Sequence, residues 1–183
     1  MRRVFSADDL ATLAKAVETE AQTIVQGSKG RIEAVDQLVR RVTFTVLGSY
    51  IGVPPPPVGR LDVWATRLFE FQFASSPNDH DLRAQAKEIA PAFRTHIDRE
   101  IAYRKTEGSR HDDVMARCLA LQAAGQTGYS DTEIRTALLC MIVGGPPQPP
   151  MVVPQAMEQL LRRPSALAAA GVAARANDDA LLH

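Results

Sequence analysis

The stretch 130–164, SDTEIRTALLCMIVGGPPQPPMVVPQAMEQLLRRP, constrains the chain more than any other. Ser130 suits a helix N-cap, and Glu133, three residues on, can return a hydrogen bond to the cap's own N–H. From Ile134 the apolar residues close up until 137–143 (ALLCMIV) is apolar on every face, which predicts a helix through the middle of a core. Gly144, Gly145, Pro146, Pro147, Gln148, Pro149 and Pro150 follow at what should be the point of deepest burial. An interior proline costs a helix about 3 kcal/mol, through a lost donor and a ring clash one turn back. The helix must therefore break here. Helical spacing resumes at Val152, Val153, Ala156, Met157, Leu160 and Leu161 and stops at Arg162, Arg163 and Pro164.

The rest of the chain also reads as helices. Ser6 caps the first, Asp9 completes its box, and Leu10, Leu13, Ala14, Val17, Ala21 and Ile24 form one stripe. Val35, Leu38, Val39, Val42, Val46, Leu47 and Ile51 recur in helical steps; Gly52 stops them and Pro54 to Pro57 forbid continuation. The β-branched Val42, Thr43, Thr45 and Val46 raise a strand alternative, but the spacing is helical. Leu61, Trp64, Leu68 and Phe71 mark a third helix, running to Phe73. After a loop at 75–79, Leu82, Ala86, Ile89, Phe93, Ile97 and Ile101 predict a long helix that Pro91 should kink or divide. Asp112 and Asp113 suit a helix start, with Val114, Cys118 and Leu121 inward. The alanine-rich 165–182 is helical with interruptions near Gly171 and Asn177. No segment reads as a strand, so the expected class is all-α, one domain over 1–183.

Composition excludes several functions. Lys+Arg and Asp+Glu are both 21, so no net field favours nucleic acid or an anionic membrane. The run 137–143 is far short of the roughly 20 residues that span a bilayer. The start MRRVFSADDL has no apolar signal core. Cys118 and Cys140 fall on apolar helical positions, as buried thiols in a reducing cytoplasm would. His80, His96, His111 and His183 are scattered without metal-ligand spacing. Neither a Gly-x-Ser-x-Gly elbow nor a Gly-rich phosphate loop occurs. Arg40-Arg41 and Arg162-Arg163 read as solvated faces or caps.

The order of these pieces resembles the helical middle of a bacterial cytochrome P-450. Ile51-Gly52-Val53-Pro54 matches that family's helix ending in glycine-valine-proline. Asp112-Asp113 matches its Asp-Asp-led helix, and Ser130, Asp131 and Glu133 match the Ser-Asp-x-Glu that opens the helix crossing the distal face of haem. Leu160-Leu161-Arg162-Arg163-Pro164 matches the far end of that helix. The resemblance implies a haem cofactor and oxidation, or rearrangement, of an apolar small-molecule substrate. It also implies an electron donor or peroxide as partner. Gly144 and Gly145 fall on the family's small pair, where the porphyrin approaches closely, and Gln148 becomes a candidate polar contact. Met141 and Phe71 are candidate substrate-pocket residues, with packing in the core as the alternative.

Two departures limit that expectation. Pro147 and Gln148 stand where the family carries its proton-delivering acid and threonine. Glutamine can hydrogen-bond an oxygen but cannot act as an acid near neutral pH. The family's Glu-x-x-Arg helix and its cysteine ligand loop have no counterpart here, so the thiolate is missing and no residue is assigned a catalytic role. The expectation is thus a partial haem-thiolate oxidoreductase fold. The rival is a non-catalytic helical binding or interaction protein, a remnant of that family. Either leaves inner helix faces uncovered, which predicts a dimer or a complementing polypeptide.

Overall fold

A computed structural model of the chain describes residues 2–74, 76, 78–109, 111–178 and 180. Among these residues eight α-helices follow in order: α1 Asp9–Gly27, α2 Arg41–Ile51, α3 Leu61–Phe69, α4 His80–Glu107, α5 Val114–Ala123, α6 Asp131–Gly144, α7 Pro149–Leu161 and α8 Pro164–Ala176. Wide-turn π segments precede α2 (Ala34–Arg40) and follow α3 (Glu70–Ala74), and Arg2–Val4 forms one 3-10 turn. No strand occurs among the described residues, and none of their helices is long and apolar enough to cross a membrane. The fold is all-α.

Local chemistry sets the ends. The Ser130 hydroxyl accepts from the Glu133 N–H while the Glu133 carboxylate accepts from the Ser130 N–H, the reciprocal cap expected of α6. At α1 the box is half formed: Asp9 accepts from the Ser6 N–H at 2.9 Å, but the Ser6 hydroxyl accepts from Asp8. Gly52 ends α2 in the left-handed region at φ 87°. Asp113 caps α5 by accepting from the Ala116 N–H at 2.8 Å.

The core lies where α6 crosses α4, α3 and α2. Ile134, Leu138 and Ile142 of α6 meet a cluster that includes Phe93, Ile97 and Ile101 of α4 and Val114, Met115 and Cys118 of α5. Each is essentially withdrawn from water, worth about 1.5–3 kcal/mol per large side chain. Val4, carried in from the N-terminal turn, is buried with them.

The structure corrects several expectations. Pro91 neither divides nor ends α4, which is one helix from His80 to Glu107; Pro91 faces solvent, where a missing donor is tolerated best. Gly171 does not interrupt α8, which ends at Asn177 in the left-handed region. Of the α1 stripe, Leu10, Ala14 and Val17 are exposed, while Leu13, Ala21 and Ile24 lie half-buried, joined by Ala16 on the side that faces α2. Most of the α7 stripe is outward as well: Val152, Val153, Met157 and Leu161 are exposed, while Met151, Pro154 and Leu160 lie inward. Helical spacing marks an apolar face without saying what covers it. The expected loop residues Ser75 and Pro77, and Leu181, Leu182 and His183, lie outside the described residues.

Candidate functional site

The break between α6 and α7 falls where the proline cluster requires it. The Gly145 N–H still reaches Met141 O at 3.0 Å, the Gln148 N–H reaches Gly145 O at 3.1 Å, and α7 begins on Pro149. Pro146 and Pro147 are buried, Gly144 and Gly145 half-buried. A Cβ on Gly144 would meet nothing within 4 Å, so the chain leaves open space beside that residue. A Cβ on Gly145 would stand 3.0 Å from Met141 O, a tight approach within the chain itself. Gln148 is exposed, and its Nε2 donates to Gly144 O. One of its amide N–H donors is thus taken up by the turn.

The other expected site residues are not drawn together. Met141 packs half-buried against the core; Phe71 is exposed on the π segment after α3. Neither lines either of the two clefts described below. Cys118 is buried, and burial pushes its thiol up. Cys140 corrects the expectation of two buried thiols, because it is exposed one turn before Gly144. The helix there is apolar in sequence all round, yet only Leu138, Ile142 and Val143 of 137–143 are buried. No described group of three His, Cys, Asp or Glu side chains can hold a metal ion. His80 and His111 are exposed, and His96 donates through Nε2 to Pro54 O at 2.8 Å, edge-on to Trp64. His183 lies outside the described residues.

Gly144 offers haem the close approach, but the family's cysteine ligand loop has no counterpart in the sequence, and Pro147 and Gln148 stand where its acid and threonine would be. The residues present do not by themselves fit a haem-thiolate centre.

Polar organisation is concentrated instead around α2. Arg104 donates to both oxygens of Asp113 at 2.7 Å, to Glu100 at 2.7 Å, and through Nη2 to Gly52 O at 2.9 Å. That satisfies a nearly buried guanidinium and a buried carboxylate together. Arg117 grips Asp9 (2.7 and 3.0 Å) and Asp112 (2.7 and 2.9 Å) and also donates to Val4 O. Tyr50 donates to Asp9 at 2.8 Å. The bond from Arg117, with those from the Ser6 N–H and Tyr50, holds the Asp9 carboxyl far below the usual range. Burial first, then the Asp9 carboxylate, pushes the Tyr50 hydroxyl up to about 12.

These networks wall two clefts. One, of about 740 Å³, lies between α2, the turn 53–60 and the start of α5, and includes Arg41, Phe44, Val53, Leu61 and Asp113. The other, of about 690 Å³, lies between α1 and α2 and includes Lys15, Glu20, Tyr50 and Arg117. Sequence reading found Asp112-Asp113 as a helix start but missed Arg104 and Arg117. Asp112 and Arg117 are five residues apart, a weak local signal; the tie to Asp9 spans 108 positions and leaves no periodic trace. Comparison with known proteins adds no constraint: no family model, curated protein or solved structure matches the chain.

Proposed function

We propose that this chain is the helical middle of a cytochrome P-450-like protein. Such a protein would bind haem and oxidise or rearrange an apolar small molecule, with the haem ligand supplied by polypeptide outside these residues. The observation that carries the reading is Gly144. It ends a capped helix that crosses the core, and it faces open space where the motif resemblance puts a porphyrin. The end of α2 at Gly52 and the caps of α5 and α6 at Asp113 and Ser130 support the reading. The substrate class, the cytoplasmic setting and the electron donor or peroxide rest on the resemblance.

A second reading, a non-catalytic helical interaction protein, is favoured by one observation. The outer faces of α1, α7 and α8 expose Leu10, Val17, Val152, Leu161 and Val172, an apolar area suited to another polypeptide. Either a second copy or a complementing segment would cover it.

One experiment separates the two. The complete reading frame containing these residues is expressed with haem supplied, and its ferrous carbon monoxide spectrum is recorded. A thiolate-type band, together with a Glu-x-x-Arg helix and cysteine loop downstream, is the expected result. A frame with neither feature and a protein with no Soret band overturns the oxidoreductase reading and leaves the interaction protein.

A further inference from the structure

The cleft between α2, the turn 53–60 and the start of α5 has no role in the reading above, since none of its lining residues belongs to α6 or α7. At about 740 Å³ it has the size of a small-molecule site. Phe44, Val53 and Leu61 form an apolar wall, and Pro54 and Pro55 extend it without adding amide donors.

The charges around it are nearly all spoken for. Asp36 pairs with Arg40 at 2.7 Å, Asp62 with Arg60 at 2.5 Å, Asp113 with Arg104 at 2.7 Å, and Asp112 with Arg117 at 2.7 Å. Arg41 is the exception. Its ion pair with Glu20 is loose at 3.6 Å, and its side chain is 62% exposed. A guanidinium fork with spare donors beside an apolar wall suits one planar carboxylate. A cation would find the lining carboxylates already neutralised. A dianion would leave its second charge without a close partner, since the lining's other guanidiniums are already held by carboxylates.

We infer that this cleft binds a small apolar monocarboxylate. The carboxylate sits on Arg41, beside the exposed hydroxyls of Thr45 and Ser49, and the apolar body lies along Phe44, Leu61 and Pro54.

Octanoate titrated into the full chain tests this, with the amide resonances of the lining glycines Gly48, Gly52 and Gly59 as the readout. Saturable shifts at all three are expected, with octylammonium giving none and octyl phosphate binding more weakly than octanoate. Arg41→Gln, a change at an exposed site that leaves the core untouched, weakens octanoate by about tenfold or more. Lys15→Gln, which removes a cation lining only the neighbouring cleft, leaves the affinity unchanged. Absence of saturable octanoate binding, equal binding of octylammonium, or an Arg41→Gln affinity equal to the parent's overturns the assignment. Haem has no part in any arm, so the outcome is independent of the oxidoreductase reading.

Discussion

Gly52 and Asp113, sixty-one positions apart, stand so close that a Cβ built on the glycine would lie 2.5 Å from the aspartate's Oδ1. The same glycine has φ 87°, which side chains other than glycine's rarely adopt. The end of α2 and the start of α5 are thus fitted to each other through Asp113, and Arg104 bonds to both.

Gly52→Ala should therefore cost more than the conformational penalty alone. We expect a loss of about 3 kcal/mol, summing left-handed strain of about 1–2 kcal/mol with displacement of a buried carboxylate. Gly125→Ala, at φ +72° with nothing within 4 Å, should lose only the first part. Urea denaturation of the two variants checks the difference.

Removing the carboxylate tests the ion pair directly. Asp113→Ala leaves the Arg104 guanidinium nearly buried without its main partner and strips the α5 cap, for an expected loss of about 3–5 kcal/mol. Replacing all three charges, as Arg104→Met with Asp113→Leu and Glu100→Gln, should recover a substantial part, because neither the guanidinium nor either of its carboxylate partners is then left unpaired. A triple-mutant cycle by urea unfolding measures the recovery.

Asp9 and Tyr50 give opposite pH limbs. The Asp9 carboxyl is lowered in the fold, so its stabilisation is complete above the unfolded carboxylate range and is lost as pH falls toward the folded value. The Tyr50 hydroxyl is raised to about 12, so its contribution is complete below the unfolded value, about 10, and is lost as pH rises from there to about 12. Asp9→Asn should flatten the acid limb of a stability profile, and Tyr50→Phe the alkaline limb. Thermal melts across pH show either change.

Core and surface aromatics should separate sharply. Phe93 is fully buried against Trp64, and Phe93→Ala should cost about 3–5 kcal/mol. Phe73 is 62% exposed, and Phe73→Ser should cost under about 1 kcal/mol, the part lost with its ring contact to Phe69. Chemical denaturation of each variant measures both.

Most of the secondary structure was legible because its signals are local. The Ser130/Glu133 box, the Gly52 stop and the proline break each act within a turn of the residues that encode them. The wide turns at Ala34–Arg40 and Glu70–Ala74 were not legible, since segments of seven and five residues are too short to show a period of their own. Which apolar faces are covered was beyond reach too: Leu10 and Ile134 look alike in sequence, yet one is 69% exposed and the other buried. The candidate site was legible only as a glycine pair. The Gln148 side chain turning back to Gly144 O depends on the geometry of a break that composition does not specify.

The proline junction has one more consequence, for how the molecule breathes. Pro146, Pro147, Pro149 and Pro150 carry no amide hydrogen, and the one donor among them, the Gln148 N–H, turns back to Gly145 O, so the i→i−4 ladder of α6 does not run on into α7. The two helices are therefore separate opening units rather than one long rod. Of α7, only Pro150 is buried, whereas Ile134, Leu138, Ile142 and Val143 anchor α6. In deuterium exchange α7 should label well ahead of α6, with the boundary between the two rates at Gly145.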